Sequence, residues 1–239
     1  MASGQETTRS PRPDPSQDNL LVAKTLLRQT RQSALATLTT GGAPLNTLTS
    51  LAADRDGAPL LLLSTLSQHT KNLLRDARAC LLLTSPPAKG DPLNRARLSL
   101  SGVIQRCAAP HVMRRFLSAH PKSGLYAGFA DFAIYRMEIE SGHYNGGFGK
   151  AGAFTPKQLL TQIEDADWLW REEETLLEQI NAGAALSRLA PIDGARRRRW
   201  RAIALDPEGI DLASAALTTR FHFATPSPDL AAWRRLAGF

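Results

Sequence analysis

Two short stretches are the most informative feature of this chain: Ser64-Thr-Leu-Ser-Gln-His-Thr-Lys-Asn-Leu73 and Arg95-Ala-Arg-Leu-Ser-Leu-Ser-Gly102. The first is the end of an apolar strand that runs into a short helix, where free backbone N–H groups and the helix dipole favour an anion. Lys71 and the hydroxyl of Thr70 would lie in the opening turn of that helix. In the second stretch, strand alternation places Arg97 on the face opposite the leucines. Together the two stretches predict the halves of one phosphate-binding site.

The composition is that of a folded protein. A chain of 239 residues with 43% hydrophobic residues can bury a full core, which excludes global disorder. The net charge of +7 favours an anionic partner without choosing among a phosphate cofactor, nucleic acid and an acidic protein. Neither a secretion signal nor an apolar stretch long enough to span a membrane is present, and the two cysteines lack metal spacing. We therefore expect a cytoplasmic protein without a membrane partner.

The pattern over residues 33–148 predicts a mainly β fold. The Gly41-Gly42 and Asp54–Gly57 turns join successive strands into a β-meander, and we expect six or seven antiparallel strands to close into a small barrel. The predicted helices cover Asp18–Gln32, Gln68–Asp76 and a segment from Pro110 to just before Pro121. The predicted strands are Ser33–Thr40, Pro44–Ala53, Leu60–Thr65, Ala79–Thr84, Arg95–Cys107, Asp131–Glu140 and Tyr144–Phe148.

The composition changes past Gly152. A helix opened by Thr155-Pro156 is predicted to continue to about Asn181, followed by two strand-like runs and a last helix from Ser227-Pro228. The strand-like runs are Trp200–Leu205 and Leu217–Ala224. The predicted organisation is a disordered tail over residues 1–17, a split-barrel domain over residues 18–152 and a smaller accessory α+β domain over residues 153–239.

The order of motifs carries a family resemblance. It runs through the glycine turn, the Pro44 strand, the Asp-Gly turn, His69–Leu73 and Arg97–Gly102. This order resembles the pyridoxamine-5'-phosphate-oxidase-like FMN-binding split barrels over about residues 20–154. The motifs that are similar to the branch linked to haem utilisation are His120-Pro121, Tyr126, Asp131-Phe132, Tyr135-Arg136 and His143-Tyr-Asn-Gly-Gly-Phe-Gly149.

The resemblance implies a homodimer with FMN at the subunit interface. Lys71 and Arg97 would bind the FMN phosphate, since a dianion between a lysine, an arginine and a helix N-terminus makes charge-assisted hydrogen bonds. The other cofactor-binding residues that the resemblance implies are Thr70 as a hydroxyl donor, His69 and Asn72 as nearby supports, and Thr47 and Ser64 along the ribityl chain or ring edge.

Simpler interpretations of these residues stay open. Lys71 and Arg97 are alternatively ordinary solvated charges, and Arg95 fits that interpretation better than a binding role. His69 is alternatively a capping or surface histidine. Thr47 and Ser64 are alternatively plain polar strand residues.

Several other polar groups have both a functional and a simpler interpretation. His143 precedes a glycine-rich run, for which a β-bulge or strand-end bend is the alternative. The run Arg196–Arg199 with Arg201 favours a solvated strand edge over a nucleic-acid site. Glu172–Glu174, with Asp165 and Asp167, is typical of a solvated helix face. The five histidines lack ligand spacing, so no metal site is predicted.

The C-terminal region departs from the haem-utilisation relatives. Their accessory domain carries a His-Met-Asn and Asp-His pattern on its first long helix, whereas the matching stretch here is Gln179-Ile-Asn181. Only Asn181 matches that pattern. No haem ligand is therefore carried over to this chain.

The sequence supports three functional hypotheses. The first is an FMN-binding flavoprotein with oxidoreductase activity on an unknown substrate, in which the flavin carries the chemistry. The second is haem binding or degradation, with His143 and His222 as the two candidate axial ligands. The third is a non-catalytic scaffold that binds or regulates a partner. Fold resemblance alone does not separate them.

Overall fold

The computed structural model describes residues 15–86, 89–147, 149–189, 199–215 and 217–238. Its main feature is one curled antiparallel sheet. The strands of this sheet are β1 (Gln32–Leu38), β2 (Pro44–Ser50), β3 (Ala52–Ala53), β4 (Pro59–Ser64), β5 (Arg78–Thr84), β6 (Arg97–Arg106), β7 (Phe132–Asn145) and β8 (Ala151–Phe154). They are ordered β2-β1-β5-β6-β7-β4-β3, and β8 pairs with β7. The prediction of a mainly β split barrel with α+β elements is confirmed.

The sheet curls so that β2 and β4 come into contact. Along β6 the leucines Leu98 and Leu100 are completely buried, while Arg97 and Ser99 alternate with them on the other face. This period of two is what the sequence pattern predicts for a half-buried strand. The barrel core is therefore filled by side chains from the inner faces of β1 and β4–β7, together with residues of the first helix.

Three helices pack on the barrel: α1 (Pro15–Gln29), α2 (Gln68–Arg75) and α3 (Pro110–Ala119). Helix α1 starts inside the stretch predicted as a tail and ends before Gln32, because Gln32 already pairs with Ser50 in the sheet. The rest of the predicted tail, residues 1–14, lies outside the described residues. No helix in the described ranges is long and apolar enough to cross a membrane.

The region between β6 and β7 differs from the prediction in one respect. The two strands predicted over Asp131–Phe148 form the single strand β7, which carries a bulge at Glu140, opposite Ser101 and Gly102 of β6. A Cβ atom at Gly102 would lie 2.0 Å from the backbone oxygen of Glu138. Glycine is thus required where the two backbones approach most closely.

The C-terminal region forms a second, three-stranded sheet covered by helices. Its elements are α4 (Pro156–Leu159), α5 (Asp167–Ala182), α6 (Ala185–Leu189), β9 (Arg201–Asp206), β10 (Gly209–Ala213), β11 (Thr218–His222) and α7 (Leu230–Ala237). The predicted long helix is two helices, and β10 is a strand that the pattern did not predict. Asn181 exchanges two hydrogen bonds with the backbone of Ala202, at 3.0 and 2.8 Å, so it fixes α5 to β9.

Buried ion pairs join the two sheets. Arg28 of α1 lies 3.3 Å from Asp206 of β9, and Arg115 of α3 donates to Glu173 of α5 at 2.5 Å. All four side chains are at most 3% exposed. The interpretation of Glu172–Glu174 as a solvated helix face is therefore wrong for Glu173, which points inward to the barrel.

Candidate functional site

Most of the predicted cofactor residues gather around α2. The Nδ1 atom of His69 lies 3.2 Å from the hydroxyl of Thr47, which joins the start of α2 to β2. Burial lowers the pKa of His69, so its ring is neutral near pH 7. Asn72 is completely buried and donates to the hydroxyl of Thr37 at 3.0 Å. Asn72 therefore joins α2 to β1 within the core.

The remaining α2 residues differ in accessibility. Lys71 is exposed and forms no ion pair or side-chain hydrogen bond within the described ranges. The hydroxyl of Thr70 is fully buried and has no hydrogen-bond partner. Ser67, the N-cap residue, makes no side-chain capping bond. The start of α2 thus has an unpaired ammonium group on its surface and an unsatisfied hydroxyl beneath it.

Ser64 lies at the end of β4, just before α2. Its hydroxyl donates to the carboxylate of Asp131 at 2.5 Å and accepts the backbone N–H of Leu66 at 3.1 Å. These bonds hold the turn between β4 and α2 against the start of β7. The Ser64 hydroxyl therefore already donates one hydrogen bond and accepts another within the chain.

Arg97 is not brought to this group within one chain. Thr47 pairs with Leu35, Leu35 with Leu81, and Leu81 with Leu100, so all four share the inner face. Arg97 lies three residues before Leu100 and projects from the outer face. Its guanidinium donates to the carbonyl of Leu93 at 2.6 Å. The predicted phosphate site therefore has its lysine and its arginine on different parts of the barrel.

The outer face of the barrel carries a cross-strand row that sequence reasoning missed. Successive members are directly paired, so they lie side by side on one face. The row is Leu48 of β2, Ala34 of β1, Leu82 of β5, Ser99 of β6, His143 of β7 and Ala153 of β8. Leu48 is 72% exposed, which is unusual for a strand leucine. We call these six residues the outer row.

The two candidate haem ligands differ in exposure and in whether the imidazole already has a hydrogen-bond partner. His143 is exposed and its imidazole makes no hydrogen bond within the part of the chain that the structure describes. His222 is half-buried, and its Nε2 lies 3.1 Å from the hydroxyl of Thr25. Since Thr25 already donates to the carbonyl of Leu21, His222 donates to Thr25. Burial, then the charge of Arg220, lowers the pKa of His222.

Arg97 belongs to the same face as His143. His143 pairs with Ser99, and Arg97 lies two residues along β6 from Ser99. Such diagonal neighbours are about 7–8 Å apart between Cα atoms, within reach of a long side chain. The outer row thus offers a small-residue and leucine surface with a free imidazole and a guanidinium at one end.

Other predicted features give no site in the described part of the molecule. No group of three His, Cys, Asp or Glu side chains that could hold a metal ion occurs among the described residues. The run Arg196–Arg198 lies outside the described residues, while Arg201 begins β9 and donates to the carbonyl of Ser118 at 2.5 Å.

Solved structures resemble this chain over almost its whole length. A protein of unknown function from Agrobacterium tumefaciens is 33% identical with a TM-score of 0.82, and the match covers 98% of this chain and 99% of that one. A heme binding protein from Mycobacterium smegmatis is 24% identical with a TM-score of 0.57, covering 95% and 96% of the two chains. At that identity the second likeness concerns the fold alone.

A curated relative and a family model each match a part of the chain. The chloroplastic non-canonical heme oxygenase HOZ of Arabidopsis thaliana is 31% identical over 113 residues, which cover 46% of this chain and 34% of that protein. The chain thus spans about a third of that relative's length. The family model described as CREG, beta-barrel matches residues 14–160, more than half of the chain. The protein therefore belongs to the CREG beta-barrel family, whose fold is the pyridoxamine-phosphate-oxidase-like split barrel that the sequence resembles.

Proposed function

We propose that this protein binds haem on the outer row of its barrel. The observation that carries the proposal is His143, an exposed and unpartnered imidazole on a sheet face made of leucines and small residues. A neutral imidazole is a common axial ligand of haem iron. The relative named a heme oxygenase, at 31% identity over 113 residues, supports the same assignment.

The residues present fit the chemistry of haem. Leu48 and Leu82 give apolar surface, and the small side chains of Ala34, Ser99 and Ala153 leave room for a macrocycle against the strands. Arg97, on the same face, would pair with the haem carboxylates by charge-assisted hydrogen bonds. Bound haem would supply an iron centre for redox or oxygen chemistry. The chain's own contribution is to ligate, orient and shield the group.

Substitution of the two histidines tests the ligand. We expect His143→Ala to shift or abolish the intense absorption band of the haem complex, because the iron loses its imidazole. His222→Ala is the matched control, since His222 already donates to Thr25 and should leave the band unchanged. A complex that keeps its spectrum in His143→Ala and loses it in His222→Ala would contradict the assignment.

We infer that a second copy of the chain covers the outer row. Leu48 at 72% and Leu82 at 38% exposure lie in one row on either side of Ala34, and exposed apolar residues that share a face favour an interaction surface. Haem would then lie between two subunits. Light scattering on the Leu48→Glu variant should report a monomer, whereas Leu125→Glu, at an exposed leucine outside the sheet, should remain dimeric. Equal masses for the two variants would remove the outer row as the interface.

FMN is a second candidate, favoured by the start of α2. Lys71 is unpaired there, and the hydroxyl of Ser67 leaves the first N–H groups of the helix uncapped. In a homodimer Arg97 would have to come from the partner, because the two cations lie apart within one chain. A bound flavin would supply hydride chemistry, which is the basis for an oxidoreductase activity.

A charge reversal tests the flavin site. Lys71→Glu should weaken FMN binding more than tenfold if the phosphate lies at α2, since a charge-assisted hydrogen bond is lost and a repulsion is gained. Lys122→Glu changes the net charge equally at another exposed lysine. Equal FMN affinity in the two variants would exclude a phosphate at α2.

A further inference from the structure

Two arginines from distant parts of the sequence flank one small residue of the second sheet. Arg201 of β9 is paired with Ala213 of β10, and Ala213 is paired with Thr218 of β11, so the three share a face. Arg31, which precedes β1, donates from Nε to the hydroxyl of Thr218. The two guanidinium groups therefore lie on either side of Ala213.

Neither arginine is neutralised. Within the described ranges neither forms an ion pair, and Asp211, the carboxylate that acts on Arg31, is bonded to Arg220 at 2.7 Å. Burial, then the charge of Arg201, lowers the pKa of Arg31 to about 10. Arg31 is half-buried, and a partly buried charge without a counter-ion is costly, so this arrangement favours an anion from outside the chain.

Further polar groups surround the pair. His120 donates from Nε2 to the carbonyl of Leu51 at 2.7 Å, and the N–H of Leu51 donates to the carbonyl of Arg31. The imidazole is therefore a neighbour of Arg31. The hydroxyl of Thr30 is buried without a partner and lines a small cavity together with Arg31. The Thr30 hydroxyl therefore adds hydrogen-bonding capacity that the described part of the chain does not use.

An open groove of about 740 Å³ begins at Arg201. It runs between α3 and the start of β9. Its lining is Met113, Arg114, Leu117, Ser118, Pro121 and Arg201. Three of these six residues are apolar, and the two charged members are both cations. Arg114 is already paired with Glu173 and Glu174, so Arg201 is the cation available to a ligand.

We propose that Arg31 and Arg201 bind the oxyanion of an organic acid whose apolar body lies in this groove. The head would be a carboxylate or a phosphate, both of which accept two parallel hydrogen bonds from a guanidinium. This site lies at the junction of α3 with the second sheet, whereas the outer row lies on the barrel strands β1, β2 and β5–β8. The proposal therefore does not depend on haem or FMN binding.

Calorimetric titration of the full chain with decanoate, decyl phosphate, acetate and inorganic phosphate tests the site. We expect the two ten-carbon probes to bind at least tenfold more tightly than the two small ions, because the groove buries their chains. Whichever head group binds better identifies the oxyanion. Equal affinity of decanoate and acetate, or no binding by any probe, would overturn the proposal.

Variants distinguish the site from general attraction to a basic protein. Arg201→Gln should weaken decanoate about tenfold or more, while Arg106→Gln removes an equal charge from an exposed strand end and should change nothing. Arg31→Gln should act like Arg201→Gln, and thermal unfolding of each variant reports its folding. The proposal fails if Arg201→Gln remains folded and binds decanoate as the parent does.

Discussion

At the scale of single residues, burial distinguishes side chains that look alike in the sequence. Glu173 and Glu174 are adjacent in a run of three glutamates, yet their side chains are 1% and 73% exposed. Glu173 is placed by arginines some 60 residues earlier, Arg114 and Arg115. No local pattern reports such a pairing, so the sequence could only predict the average behaviour of a polar helix face.

The first prediction concerns this pair of glutamates. Glu173→Gln should lower the free energy of unfolding by about 3–5 kcal/mol, because Arg115 would remain buried without its counter-ion. Glu174→Gln should cost at most about 1 kcal/mol, since it breaks an exposed pair with Arg114. Urea unfolding of both variants measures the difference. Similar midpoints for the two would show that Glu173 is not buried against the barrel.

The predicted cofactor site consists of two parts, the α2 cluster and Arg97, which the structure places apart. The cluster on α2 was predictable because His69, Thr70, Lys71 and Asn72 are neighbours in one helical turn. Their separation from Arg97 was not predictable, because it depends on strand register and on which face of β6 is buried. The outer row was missed for the same reason, since its six members come from six strands.

At the scale of elements, turn chemistry predicted the barrel strands well. Glycine and Asp-Gly turns fixed the early meander, and the structure has a strand on each side of them. Strand β10 was missed because all five of its residues are buried, including Asp211, so no alternation marks it. The polar residue is satisfied there by Arg220, whose partnership is again non-local.

The second prediction concerns the bulge between β6 and β7. Gly102→Ala should destabilise the protein by about 3 kcal/mol or more, because the added Cβ would meet a backbone oxygen that cannot move aside alone. Gly124→Ala is the control, since no atom lies within 4 Å of its Cβ position. Thermal unfolding of the two variants measures the difference in stability. A Gly102→Ala protein as stable as its control would mean that the two strands are not this close.

At the scale of the whole molecule, the two sheets are joined by charges that water does not reach. Arg220 and Arg28 outweigh the effect of burial, which alone would raise the pKa of Asp206, and they lower that pKa far below its usual range. Arg115 and Arg114 likewise overcome burial to lower the pKa of Glu173. These ion pairs therefore stabilise the junction only while both carboxylates are ionised.

The third prediction follows from the sign of these shifts. A carboxylate with a lowered pKa stabilises the folded state above its unfolded pKa of about 4, and this contribution is lost progressively as the pH falls from that value through the lowered pKa of the folded state. His120 and His222, whose pKa values burial lowers, should begin the loss below about pH 6.5. Asp206→Asn should flatten the acid limb of the free energy of unfolding against pH. An unchanged slope in that variant would place Asp206 outside the network.

The main question is whether the protein binds haem or FMN. Parallel visible-absorption titrations of the purified protein with haem and with FMN answer it. We predict saturable haem binding at one group per subunit, with an intense band that changes in His143→Ala, and weaker binding of FMN. Tight stoichiometric binding of FMN together with no saturable binding of haem would contradict the proposal that the outer row is a haem site.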